Sequence, residues 1–195
     1  MLTLPSLVER LAGLTPSCGP TRLLAVDGYA GSGKTTFAGL LATALGGPEH
    51  APVVHLDDLA THEEFFGWPL RLEAEILDPL AAGRPVRHRV YDWELARFGA
   101  VRELPPAPPF LVLEGVGAGR RAVRPHLAAL LWMDLDAATA RDRGERRDGP
   151  ALAEFWQRWF AEQTEHFRVD PSRPFADFLV ADSGGATGQP ITHAA

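Results

Sequence analysis

The stretch Gly28-Tyr29-Ala30-Gly31-Ser32-Gly33-Lys34-Thr35-Thr36 constrains this chain more than any other. It follows the pattern G-x-x-x-x-G-K-[ST]. In that pattern the glycines let backbone N–H groups close around phosphate oxygens, the lysine reaches the terminal phosphates, and the hydroxyl takes Mg²⁺. The motif requires a strand before it and a helix after it. Leu23-Leu24-Ala25-Val26 reads as a short buried strand. Beyond the loop, Phe37, Leu40, Leu41, Ala44 and Leu45 recur at helical spacing, and Gly46-Gly47 is a helix stop. Phosphate then lies at a helix N-terminus, where free N–H groups and the helix dipole favour an anion. Lys34 is the only lysine beside eighteen arginines. An arginine fork would not replace a compact point charge in so tight a loop. Nucleoside-triphosphate binding is the first expectation, through Gly28, Ala30, Gly31, Ser32, Gly33, Lys34, Thr35 and Thr36.

The rest of the chain alternates between strand-like and helix-like segments. Ser6-Leu7-Val8-Glu9 reads as a capping box that opens a short helix over residues 6–14. Pro52-Val53-Val54-His55-Leu56 reads as a second strand, ending at Asp57-Asp58. Residues 70–82 read as a helix and residues 84–93 as extended chain. Phe110-Leu111-Val112-Leu113 is a buried strand ending in Glu114-Gly115, and residues 128–133 are a fourth. Asp136 caps a charged helix to about Arg147. The next helix carries Phe155, Trp156, Trp159, Phe160 and Phe167 at helical spacing and is read as core. Residues 178–180 form a last short strand, and residues 183–195 a loose tail. This order predicts one α/β domain, with its core over about 21–182. The expected architecture is the three-layer P-loop NTPase type: a mostly parallel sheet, helices on both faces and a small lid.

Composition narrows the function classes. The chain has 195 residues, 46% of them apolar, enough for a sizeable core, and a formal charge of −6. That charge gives no electrostatic reason to expect nucleic acid or a membrane surface as partner. Cys18 stands alone, so no intrachain disulfide forms. Neither a signal peptide nor a membrane-spanning run is visible, and a cytoplasmic protein is expected. The oligomeric state stays open, a homo-oligomer included.

In parallel sheets, ligands sit at the carboxyl ends of the strands. Asp27, Asp57-Asp58, Glu114 and Asp134 fall at those ends. Thr35 is expected to bind Mg²⁺, with Glu114 as a Walker-B-like acid; the alternative for Glu114 is a solvent-facing strand end. Asp57 fits a general base that takes a proton from an acceptor hydroxyl. It also fits a second metal contact or a helix N-cap. Adjacent residues at a strand end diverge, so Asp58 should point elsewhere. Arg141, Arg143, Arg146 and Arg147 read either as a lid over the phosphates or as a solvated face with i,i+4 pairs. Arg143 and Arg147 are taken as the lid candidates. Phe65, Phe66, Trp68, Tyr91 and Trp93 are concentrated between the Asp57 and Glu114 strands, as an acceptor pocket or as packing. The candidates for touching the acceptor are Asp57, Phe66, Trp68, Tyr91 and Trp93. His55 is expected simply to pack in its strand, and His62, His88 and His126 lack metal-ligand spacing.

Taken together, these residues resemble the uridine kinase-like branch of P-loop kinases, which includes phosphoribulokinase and pantothenate kinase relatives. The resemblance spans roughly residues 23–180. It rests on Val26-Asp27-Gly28 through Thr36, Leu56-Asp57-Asp58, Val90-Tyr91-Asp92, Leu113-Glu114-Gly115, the arginine-rich segment 141–147 and Phe175-Ala176-Asp177-Phe178. It implies ATP, Mg²⁺, transfer of the γ phosphate to a hydroxyl of a small molecule, a base at Asp57 and a substrate-facing aromatic at Tyr91. The chain also departs from the family. Leu59-Ala60 replace an expected Phe-Tyr. No acid stands in Phe66-Gly67-Trp68-Pro69, where uridine kinases grip the ribose. Ala96 and Arg97 occupy the place of an expected histidine. The phosphate machinery matches and the uridine-reading residues do not. A nucleoside is the default acceptor, with another hydroxyl compound open. The other classes are an ATP-dependent switch and a degenerate ATP-binding protein. A guanine-specific switch needs an Asn-Lys-x-Asp sequence, which a chain whose single lysine is Lys34 cannot contain.

Overall fold

The computed structural model describes residues 2–181 and 190–194. Its elements are α1 (Leu4–Ala12), β1 (Arg22–Asp27), α2 (Lys34–Ala44), β2 (Val53–His55), α3 (Pro69–Leu72), α4 (Asp78–Ala81), β3 (Arg87–Asp92), β4 (Arg97–Glu103), β5 (Phe110–Glu114), β6 (Ala129–Asp134), α5 (Ala137–Asp148), α6 (Ala153–Val169), β7 (Phe178–Ala181) and β8 (Ile191–His193). The main sheet has the order β2-β5-β1-β6-β7-β8. Its pairings are parallel except for β8, which runs antiparallel on β7. Because successive strand residues point to opposite faces, the central strands are apolar throughout and feed two cores. Leu23, Ala25, Leu111 and Leu113 pack with Trp68, Leu72 and Ile76 on one face. Leu24, Val26, Val112 and Leu131 pack with Leu7, Leu11, Phe37 and Leu41 on the other. Both faces of the sheet are covered, and β1, which feeds the glycine loop, lies centrally between β5 and β6.

The structure revises four local expectations. Helix α1 begins before the proposed capping box: Thr3 is the N-cap and its hydroxyl accepts from the Ser6 N–H at 3.3 Å. Pro5 fits that first turn because no intrahelical N–H is required of it there. Residues 69–81 are helical but not uniformly so, since a π-turn, Glu73–Leu77, joins α3 to α4. The extended segment 84–93 is half of an antiparallel hairpin, β3 with β4, bulged between Arg89 and Tyr91. Strand β4 is mostly exposed and lacks the alternation that would announce it. The expected loose tail contains β8, whose Ile191 is buried in the core and whose carbonyl accepts from the Leu2 N–H at 2.7 Å. Residues 183–189 and 195 of that tail lie outside the described residues. Among the described residues, no helix is long and apolar enough to cross a membrane.

Candidate phosphate and metal site

The glycine loop joins the end of β1 to the first turn of α2, and two of its glycines are required by geometry. Gly33 caps α2 at φ 89°, and an added Cβ would meet nothing within 4 Å. The conformation demands glycine there, and the space over it is open. Gly31 has φ 87°, and a Cβ would fall 2.0 Å from the carbonyl oxygen of Ala140 in α5. Helix α5 therefore lies directly against the loop. The root of the loop is tied down by the buried Asp27. Its Oδ1 accepts from the N–H groups of Gly28 (2.7 Å) and Gly117 (2.8 Å), and its Oδ2 from Gly119 (2.9 Å). Burial pushes this carboxyl up, against the pull of those three donors.

Lys34 is buried and its Nζ donates to the Tyr29 carbonyl at 2.9 Å. Burial lowers its pKa, and the carboxylates of Glu114, Asp27 and Asp57 oppose that shift. The Thr35 hydroxyl donates to Glu114 Oε1 at 3.1 Å. The other oxygen of Glu114 lies 2.6 Å from His55 Nδ1. His55 and Glu114 are register partners on β2 and β5, so their side chains emerge side by side. The hydrogen bond to Glu114 raises the pKa of His55. His55 is thus no mere packing residue, a point hidden in the sequence because its partner lies on another strand.

After β2 the chain makes a 3₁₀ turn, Leu56–Asp58, that sends the two aspartates apart. Asp57 faces the cleft, where crowding by protein atoms and the Glu114 charge raise its pKa. Asp58 turns inward to the buried His88, 3.2 Å from Nε2, and to Arg102 at 3.2 Å. The cleft itself holds about 350 Å³. Its walls are Ala30, Gly31, Gly33, Lys34, Thr35 and Thr36 of the loop with Asp57, Glu114, Gly115, Val116, Arg143, Gly144, Arg147 and Trp159. Gly28 and Ser32, expected among the phosphate contacts, stand behind this surface; Ser32 is buried and its hydroxyl has no partner among the described residues. Arg143 and Arg147, one helical turn apart, share the face of α5 that meets the cleft. Arg147 also binds Asp148 (2.6 Å). Arg141 pairs with Glu145 over the ring of Phe160, and Arg146 reaches Asp142 at 3.8 Å. The arginine cluster therefore divides into two cleft residues and two surface pairs.

No protein-family model matches the chain, and no curated protein matches it in sequence. Solved structures do match in shape. A protein described as a possible uridine kinase from Bacillus stearothermophilus superposes with TM-score 0.65 at 20% identity, over 90% of this chain and 96% of that one. A protein assigned as a fructose transport system kinase from Silicibacter sp. TM1040 gives 0.62 at 21% identity, over 75% and 82%. D-glycerate 3-kinase from Cryptococcus neoformans gives 0.59 at 11% identity, over 98% and 96%. The chain shares the fold of these structures, a mostly parallel α/β sheet of the P-loop NTPase type with helices around it.

Of the aromatic residues read as an acceptor pocket or as packing, Phe66, Trp68, Tyr91 and Trp93 are each packed among other side chains. Trp68 is buried in the main core beneath the guanidinium of Arg120, 5.0 Å from the ring centroid. Tyr91 is buried and its hydroxyl meets His62 Nδ1 at 2.9 Å. Phe66 stacks on His166 with ring centroids 4.6 Å apart. Trp93 donates its Nε1–H to the Asp57 carbonyl at 3.2 Å and packs on His62 and Tyr91. None of these four lines the cleft that holds the loop. Tyr91 and Trp93 pack edge to face, and Phe66 also packs on Trp159. Trp159 of α6 does line it, and is at the same time a buried core residue, as its helical stripe predicts. One turn further along α6, Gln163 accepts from the Ala30 N–H at 2.8 Å and so steadies the loop. Their i,i+4 spacing shows that the two share a face; it does not show that this face meets the glycine loop.

Proposed function

We propose that this chain is an ATP- and Mg²⁺-dependent kinase that transfers the γ phosphate to a hydroxyl of a small molecule. The observation that carries this reading is convergence: Lys34, the Thr35–Glu114 pair, Asp57, Arg143 and Arg147 all border one cleft. The site fits these ligands. The space over Gly33 is open beside the N-terminus of α2, and Thr35 and Glu114 offer the hard oxygen donors that Mg²⁺ takes. Bound Mg²⁺-ATP would supply the transferable phosphoryl group and the metal charge that neutralises it. The protein's part is positioning and electrostatics. Lys34 and the loop N–H groups hold the phosphates. Thr35 and Glu114 hold the metal. Asp57 accepts the proton of the acceptor hydroxyl at its carboxylate, which faces the cleft. Arg143 and Arg147 bring positive charge from α5, while Val116 and Trp159 limit water from the opposite side.

Nucleosides are the default acceptors on this scaffold. A non-nucleoside acceptor is favoured by one specific observation, that Phe66, Trp68, Tyr91 and Trp93, the rings clustered between the Asp57 and Glu114 strands, do not line the cleft, which Trp159 alone of the described aromatic residues borders. The test is ADP release from Mg²⁺-ATP across nucleosides, sugars, hydroxy acids and pantothenate. Acceptor-dependent ADP is expected, falling by at least about 10²–10³ in Lys34→Ala as transition-state charge stabilisation is lost. Full activity in Lys34→Ala would sink the assignment. Slow ADP release that no acceptor stimulates would instead support an ATP-dependent switch.

A further inference from the structure

Glu114 has both of its carboxylate oxygens engaged by residues from two different elements. Oε1 accepts from the Thr35 hydroxyl at 3.1 Å, and Oε2 lies 2.6 Å from His55 Nδ1. An ionised carboxylate only accepts hydrogen bonds, so the His55 ring nitrogen is the donor. The pairing is built into the sheet, because His55 and Glu114 are register partners on neighbouring parallel strands. Glu114 is buried, whereas about a third of the His55 side chain is exposed. Of the two acids that follow β2, Asp57 faces the cleft and Asp58 is committed to His88 and Arg102. Glu114 is thus the carboxylate that His55 grips, while His55 itself does not line the cleft.

We propose that His55 is a positioning residue for the metal: its Nδ1–H fixes the rotation of the Glu114 carboxylate so that the remaining lone pairs of Glu114 and those of the Thr35 hydroxyl address one cation. The inference rests on the metal reading given under the proposed function. Its chemistry is simple. A hydroxyl that donates its proton to a carboxylate keeps its lone pairs for a metal, and a carboxylate has about four acceptor sites, of which two are used here. Without the His55 donor, Glu114 would be held at one oxygen only and would be free to rotate. Groups that orient a metal-facing residue in this way commonly contribute about 10–100-fold to metal affinity.

The experiment uses Mn²⁺ as the probe, its binding to the protein–ATP complex followed by electron paramagnetic resonance. Affinity for ATP in EDTA is measured in parallel and reports an intact fold and loop. His55→Phe keeps a ring but removes the donor, and it should weaken Mn²⁺ binding by about 10-fold or more. His55→Asn places an N–H close to the position of Nδ1 and should bind Mn²⁺ nearly as the parent does. His55→Gln places its N–H one bond further out and should not rescue. Metal-free ATP affinity should be unchanged in all three. Unchanged Mn²⁺ affinity in His55→Phe overturns the proposal, as does equal impairment of the Phe and Asn variants, which would mark a purely structural role. Glu114→Gln separates the two levels of the argument. If it weakens Mn²⁺ while His55→Phe does not, only the role of His55 falls. If neither does, the metal reading falls with it.

Discussion

The cleft has one wall made of backbone and one made of rings. The backbone wall is the loop from Gly28 to Thr36, where three positive-φ glycines and a capping N-terminus set the shape, and Lys34 is the one long side chain on the surface. The ring wall is Val116 and Trp159, backed by Phe65, Trp156 and Phe160. Both are rich in chemically expressive residues, yet they work differently. On the first wall the groups that the proposed phosphates would meet are main-chain N–H groups, so the residue types follow from torsion angles and are nearly obligatory. On the second, each ring is satisfied by other rings. Phe65 meets Trp93, Phe155 and Trp159, and Phe155 meets Trp156. Residue type then says little about which ring presents an edge to the cleft. Concentrated aromatics mark a packed region before they mark a binding surface.

The largest expected effect sharpens the comparison at the loop side. Asp57→Asn should lower kcat by about 10²–10⁴ while ATP affinity stays near that of the parent, as for loss of a general base. An unchanged kcat would remove Asp57 from that role and leave catalysis to the backbone wall and its cations. Next, Trp68→Ala should destabilise the fold by about 3–5 kcal/mol without altering the acceptor KM below the melting range. A raised acceptor KM at unchanged Tm would break the comparison, because it would make the rings a recognition surface after all. A smaller effect is expected from Asp58→Ala. It leaves His88 and Arg102 without their carboxylate and should lower stability by about 1–3 kcal/mol, read from denaturant midpoints, with turnover preserved.

The smallest effect concerns acid. His166, stacked on Phe66, has its pKa lowered to about 4, by burial first and by the Arg120 charge second. The unfolded chain therefore binds a proton that the native protein does not, between about pH 6.5 and pH 4. Stability should fall as pH drops through that window, and His166→Leu should flatten this part of the Tm-against-pH profile. A wild-type profile that His166→Leu leaves unaltered would mean that the ring stack on α6 tolerates charge.

Much of the molecule was legible before its structure. Leu24 and Val26 read as strand because a run apolar on both faces suits a covered parallel sheet, and Asp136 read as a helix cap, which it is, accepting from the Thr139 N–H at 2.9 Å. Asp57 and Asp58 diverge as expected, though the cause is the 3₁₀ turn Leu56–Asp58 and not strand alternation. What stayed hidden was of another kind. Strand β4 carries almost no buried face, so no periodicity announced it. Strand β8 is three residues long and owes its order to β7 and Leu2. The roles of Trp159 and Gln163 depend on where α6 docks, and that of His55 on which strand lies beside β2.

By itself, then, the sequence determined the strand–loop–helix unit at residues 22–44, the alternating α/β order and the acids at the strand ends, because these follow from torsion preferences, caps and short-range periodicity. Tertiary structure alone decided that His55 grips Glu114, that Arg143 and Arg147 rather than Arg141 and Arg146 border the cleft, and that Trp159, a core residue like Trp68, also lines the site. Those outcomes depend on sheet register and helix docking between residues 59 to 133 positions apart, as for His55 with Glu114 and Ala30 with Gln163. Local chemistry sets what a side chain can do, and only packing sets what it meets.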